Sequence, residues 1–151
     1  MQQAIDFLEE SRSLHYLIAS RGPALLHAET LFKGWQVEEI IRHLHVWNGM
    51  AELSRTDEAR FTVEMAKLGP PMMAGQTRVS ERAAAPLTGQ ALITAWQAQY
   101  ERMGALWAGI DPKLRLKWAG PSMSARSSIS ARLMETWAHG QAIWDVAGAA
   151  R

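Results

Sequence analysis

Cysteine is absent from this chain, which excludes disulfides, thiolate metal ligands and a cysteine nucleophile at once. Charge imbalance is nearly absent as well. Sixteen Lys and Arg stand against fifteen Asp and Glu, a formal net charge of +1, with no block of one sign. Nothing in that distribution supports binding to nucleic acid or to a membrane surface. Long apolar runs are missing, and none approaches the roughly 18 residues that span a bilayer. The opening stretch MQQAIDFLEESRS is acidic and amphipathic, unlike a signal peptide. Together these absences predict a cytoplasmic protein with neither a nucleic-acid nor a membrane partner.

Strand signals are scarce too. Alternating β-branched runs are missing, while alanine, leucine, methionine and glutamine are plentiful. The 151 residues are 48% hydrophobic and 21% charged. That suits a single domain, residues 1–151, able to bury a core without a covalent or metal staple. Four long helices are predicted, at about 2–20, 35–54, 88–109 and 124–147, with Thr88 and Ser124 as caps and Gly148 as a stop. A short helix is expected near 57–67. Residues 68–86 and 112–123, rich in proline and glycine, read mainly as loop. The expected fold is an all-α four-helix bundle with long crossover loops.

The polar residues on these helices carry the chemistry. Glu135 and His139 lie about 40° apart on a helical projection, one turn from each other. Ala142, Ile143 and Val146 share their face, and Leu133, Trp137 and Trp144 lie nearly opposite. On the second helix, Val37, Ile40, Ile41, Leu44, Trp47 and Ala51 form an apolar stripe. His43 and His45 sit on its two margins, and periodicity does not choose between them. Two histidines and a carboxylate make a ligand set for zinc, and also for nickel, iron or manganese. Bundle cores build such sites from facing helices. An acid and a histidine four residues apart also form ordinary helix ion pairs, so spacing alone leaves both readings open. No zincin, phosphate-loop or nucleophile-elbow motif is present.

Two segments go further. KGWQVEEIIRHLHVWN, residues 33–48, resembles the first metal-ligand segment of the DinB-like superfamily, and within it the N-terminal domain of mycothiol-dependent maleylpyruvate isomerases. Trp35, His43 and Leu44 occupy that segment's tryptophan and "HL" positions. WAGPSMSARSSISARLMETWAHGQAIWDVAG, residues 118–148, resembles the second signature. The resemblance implies a DinB-like bundle whose metal ligands are His43, Glu135 and His139, with His45 as the runner-up. His15 and His27 are then ordinary seam or surface histidines. Ala142 departs from the pattern where relatives often carry aspartate, although Asp145 is kept. Ser122 replaces a second proline after Pro121. The chain ends at Arg151, where the isomerases continue into a second domain, so maleylpyruvate isomerisation itself is not expected.

The resemblance implies a metal-dependent enzyme that works with a low-molecular-weight thiol as transferase or isomerase. Trp47 is expected to wall the pocket, and Arg126 and Arg132 to bind a carboxylate of substrate or thiol. Solvent exposure is the plain alternative for both arginines. The competing function is a non-catalytic metal-binding or interaction module. Seven tryptophans favour it, because exposed ones often mark interfaces. With Leu133, Trp137 and Trp144 opposite the ligand face, a homodimer with Trp137 or Trp144 at the interface is expected.

Overall fold

The computed structural model describes residues 1–151 as an all-α fold of six helices: α1 (Gln2–Arg21), α2 (Val37–Thr56), α3 (Glu58–Met73), α4 (Thr77–Ala84), α5 (Gly89–Ala108) and α6 (Ala125–Val146). A 3-10 turn, Pro23–His27, follows α1, and a two-stranded ribbon, β1 (Arg115–Leu116) with β2 (Met123–Ser124), precedes α6. The four long helices share one core. α1 packs on α5 and α6, and α2 packs on the same two helices from the other side. Phe7, Leu14, Ile40, Ile41, Leu44, Trp96, Tyr100, Met103 and Trp107 are sealed within it.

The helix starts follow local chemistry. Ser124 accepts a hydrogen bond from the Ser127 N–H at 3.1 Å and caps α6. At α2 the Glu39 carboxylate accepts the Gln36 N–H at 2.9 Å. Just before it, residues 29–36 fold back as a tight hairpin. Lys33 and Gly34 both take positive φ, 52° and 67°, and the Trp35 N–H donates to the Phe32 carbonyl at 2.9 Å. Two successive left-handed residues make a type I′ turn, which glycine favours. This turn delivers the Phe32 and Trp35 rings to one side of α2.

The segment 68–86 departs from the expected loop. α3 runs through Pro70 and Pro71 to Met73, and α4 follows at once. A proline removes one donor from the helix ladder, but its fixed φ is itself helical. The carbonyls that lose a partner belong to Ala66 and Lys67, both exposed residues. The turn then closes behind the prolines, with the Ala74 N–H on the Pro70 carbonyl (3.1 Å) and the Gln76 N–H on the Pro71 carbonyl (2.8 Å). The crossover is therefore a helical pair packed on α2. Beneath it a second apolar cluster joins Val46, Trp47, Met50, Phe61, Leu68 and Ala85.

The buried face of α6 also differs from its apolar pattern. The sealed residues are Ala125, Ser128, Ile129, Arg132, Thr136, Gly140 and Ile143. That face lies between the two apolar faces read from periodicity. Small side chains there let α1 come close, and a Cβ built on Gly140 would sit 3.3 Å from Leu14. Leu133 and Trp144 pack on the core from one margin. Trp137 stays 56% exposed, with the Arg151 guanidinium over its ring. Trp35, Trp47, Trp96 and Trp107 are buried, so the high tryptophan content serves the interior first.

Among the glycines, Gly104 sits in the tightest contact, between α1 and α5, where an added Cβ would fall 2.7 Å from the Leu8 Cβ. Gly104→Ala should destabilise the protein by about 1–3 kcal/mol through overpacking. Equilibrium urea unfolding measures it, and an unchanged midpoint contradicts the close packing.

Candidate metal centre

His43 on α2 and Glu135 and His139 on α6 meet in a cleft. The Glu135 Oε2 lies 3.0 Å from the His139 Nε2 and 3.3 Å from the His43 Nε2. One donor atom from each residue falls within 4.8 Å of the others. Periodicity leaves His43 and His45 equivalent, the resemblance prefers His43, and the tertiary fold separates them. His45 leans the other way, with its Nδ1 3.0 Å from the Gln99 Oε1 on α5. There it lines a separate cavity of about 810 Å³ between α2, α3 and α4 that none of the triad residues enters.

Behind His43 stands a residue the sequence reading missed. Glu81, on α4 and 2% exposed, accepts from the His43 Nδ1 at 2.7 Å and from the Trp47 Nε1 at 2.8 Å, both on Oε1. A carboxylate only accepts, so the His43 Nδ1 carries a proton; in the metal-free protein the protonated ring also donates its Nε2–H to Glu135, and a bound cation would take the place of that second proton. Nothing in the sequence marks Glu81 among fifteen acidic residues, and its segment reads as loop. Two rings complete the walls. Phe32 meets the His139 ring edge-on at 4.7 Å, and Trp35 meets the His43 ring at 5.8 Å.

The other expected residues are placed as follows. Trp47 is buried and serves as the second donor to Glu81. Arg132 is 5% exposed, its guanidinium 5.5 Å from the Trp118 ring centre, and its Nε and Nη1 have no acceptor. A solvated position is thereby overturned for Arg132. Arg126 is exposed on the first turn of α6, about 13 Å along the helix axis from Glu135, and does not join the cluster. His15 sits in a seam with its Nδ1 2.8 Å from the Tyr100 hydroxyl, and His27 is exposed.

The electrostatics of the cleft are coupled. Hydrogen bonds from His139 and then His43 hold the Glu135 carboxyl far below the usual carboxylate range, against the opposing pull of burial. Burial pulls the His43 imidazole down, but hydrogen bonds to Glu135 and Glu81 outweigh it and raise the pKa. Desolvation lowers the Arg132 pKa, with Glu135 opposing.

The donor set fits a divalent cation. Two ligands of a four-coordinate zinc, each about 2.1 Å from the ion, stand roughly 3.4 Å apart. The Glu135 oxygen is already near that spacing from both imidazoles. With a cation in place of the Nε2 proton, His43 would ligate through Nε2 while its Nδ1–H stays on the Glu81 carboxylate. A carboxylate on the far ring nitrogen is the usual support for a metal-ligating histidine.

A helical scaffold that gathers two imidazoles and a carboxylate in one cleft, backed by a buried second carboxylate, defines a helical protein with a candidate metal centre. The chain belongs to the family of mycothiol maleylpyruvate isomerase N-terminal domains, whose profile matches residues 7–144. It is also similar to uncharacterized proteins from two strains of Mycobacterium tuberculosis, each 32% identical over 146 residues. The alignment takes in 97% of this chain and 56% of either relative, so the chain spans about half the length of the curated relatives it matches. No solved structure matches it.

The two shifted groups set a pH window for the metal-free protein. Glu135 titrates below its unfolded value, so its stabilisation is complete above the ordinary carboxylate range and is lost as the pH falls through its folded pKa. His43 titrates above its ordinary value of about 6.5, so its stabilisation is complete below that value and is lost as the pH rises through its folded pKa. Metal-free protein should therefore gain most from this cluster in mildly acidic solution. Urea midpoints across pH, compared with Glu135→Gln, test this. A difference between the two proteins that stays constant with pH contradicts the coupling.

Proposed function

We propose that residues 1–151 form a single DinB-like four-helix bundle domain that binds a divalent metal ion through His43, Glu135 and His139. We further propose that it acts with a low-molecular-weight thiol in a transfer or isomerisation reaction. The convergence of the three donors, with Glu81 behind His43, carries this reading. Zinc is the first candidate by ligand type, and nickel, iron or manganese accept the same set. When bound, a divalent ion supplies the positive charge that lowers the pKa of a coordinated thiol.

The protein's own groups have separate tasks. His43 and His139 offer Nε2 lone pairs, and Glu135 contributes the anionic oxygen. Glu81 holds the His43 ring and its tautomer, and Trp47 holds Glu81. Phe32 and Trp35 keep the two imidazoles oriented and partly dry. The chain has no cysteine, so the thiol comes from outside, as the family's mycothiol link suggests. The reading places the protein in the cytoplasm, where small thiols are kept reduced. Arg132 is the better placed of the two arginines to meet an anionic group, because it lies one turn from Glu135 and is buried.

Metal analysis and titration test the centre. His139→Ala should abolish tight metal binding and leave the far-ultraviolet circular dichroism near that of wild type. Glu81→Gln should weaken binding by about 10–100-fold through the lost support of His43. Cobalt-loaded protein should develop a thiolate-to-metal absorption band when a small thiol is added. If metal binds and no such band appears, the thiol reading fails and a non-catalytic metal site takes its place.

We also propose a two-fold homodimer. Met134 and Trp137, one turn apart on α6, are 68% and 56% exposed, which leaves an apolar pair for a second copy to cover. Light scattering should return about twice the chain mass, and Trp137→Glu should return the mass of one chain. A monomer at high concentration sinks the assembly reading and leaves the site untouched.

A further inference from the structure

We infer that the cavity between α2, α3 and α4 is a second ligand site. It takes a neutral molecule with an apolar body and one hydroxyl, a phenol or an aliphatic alcohol, and holds the hydroxyl on Gln99 and His45. The cavity has a volume of about 810 Å³, inside the range of roughly 300–1,000 Å³ that small-molecule sites occupy. None of His43, Glu135 and His139 lines it. The inference therefore stands apart from the metal-centre reading.

Two polar side chains mark its inner wall. Gln99 on α5 is 7% exposed, and its Oε1 faces the His45 Nδ1 at 3.0 Å. The Gln99 amide nitrogen has no acceptor in the chain. It lies beside Gly49 on α2, 3.4 Å from where a Cβ on that residue would stand, and Gly49 itself lines the cavity. The missing side chain at Gly49, one turn beyond His45, leaves the amide uncovered on that side. The His45 ring also lines the cavity, and its Nε2 meets no other group of the protein. A carbonyl oxygen only accepts, so the proton of the neutral ring sits on Nδ1 and Nε2 carries a lone pair. A donor and an acceptor thus stand together, oriented by the bond between their own side chains. A buried amide donor without a partner is a cost to the fold that a ligand oxygen removes.

The rest of the wall sets the body and the charge of the ligand. Val46, Met50, Leu68 and Ala85 belong both to the second apolar cluster and to the lining. The charged lining residues cancel, with Arg60 and Lys67 against Glu52 and Glu64. Glu64 already holds Lys67 at 3.0 Å, and Glu52 accepts from Arg55 and from the Trp107 indole. A wall with no net charge and an apolar floor gives an ion no return for leaving water. A hydroxyl accepts from the amide and donates to the imidazole at once, whereas an ether or a ketone can do only the first.

The test follows the Gln99 amide. In ¹⁵N-labelled protein, with and without zinc, the assigned Gln99 side-chain amide signals should shift and saturate as para-cresol is added. Para-methylanisole, which accepts but cannot donate, and toluene should each bind about fivefold more weakly or worse, the worth of one neutral hydrogen bond. Para-toluate, the anion of similar shape, should also bind more weakly than para-cresol. Gly49→Ala suits a helix and sets a methyl against the amide, so it should lower the para-cresol affinity by a similar factor. Gln99 signals that para-cresol does not move to saturation overturn the site. An unchanged affinity in Gly49→Ala overturns the contact with the amide. Equal binding of para-methylanisole overturns the hydroxyl assignment, and tighter binding of para-toluate overturns the neutral ligand. The titrations of the unaltered protein need no variant to fold, and they decide the site whether or not the triad takes up zinc.

Discussion

A buried carboxylate organises this molecule. Glu81 sits almost out of water, and a charge in that position is tolerable only with close donors around it. It has two, the His43 Nδ1 and the Trp47 Nε1, both from α2 and one helical turn apart. The demand of one acid thus draws α4 onto α2, fixes a tautomer and orients an indole. Because His43 also reaches Glu135 on α6, the same contact ties three helices together at the mouth of the cleft.

The same principle recurs along α2, which is covered on nearly every side. Arg42 is 2% exposed and is satisfied by Glu38 at 3.2 Å and by the carbonyls of Ala85 and Leu87 at 3.1 and 2.9 Å. These bonds clamp the link between α4 and α5. They set where α4 ends, and so how far Glu81 can reach. Polar residues that look like surface positions on a helical projection are the fasteners of the crossover. Arg132 breaks the pattern: it is as deeply placed as Arg42 and lacks what Arg42 has.

The cleft itself lies at a margin of the core rather than in its middle. Glu135 and His139 flank the buried face of α6 instead of forming it. That face mixes small residues, Ala125, Ser128, Thr136 and Gly140, with Ile129, Ile143 and Arg132, and α1 packs closely on it at Gly140. The margin is chemically useful. Side chains there are partly dried by Phe32 and Trp35 and remain reachable from outside.

The sequence by itself determined the helical class, the four long helices and the caps of the last one. Each is a local property, set by apolar period and by donors within a few residues. It also narrowed the candidate ligands to a glutamate and a histidine one turn apart and to a pair of histidines on a second helix. Helical periodicity did not separate His43 from His45; the resemblance preferred His43, and the tertiary structure shows the physical difference, which neighbouring helix each meets. Tertiary structure alone carried α3 through two prolines, on a stretch where the residues that lose a hydrogen bond are exposed. It alone set the buried face of α6, because that face is decided by where α1 and α2 pack and mixes small, apolar and charged side chains. Glu81 and the unpaired state of Arg132 belong to the same class. A buried charge is defined by what surrounds it in space, and that information is spread over residues distant in the chain.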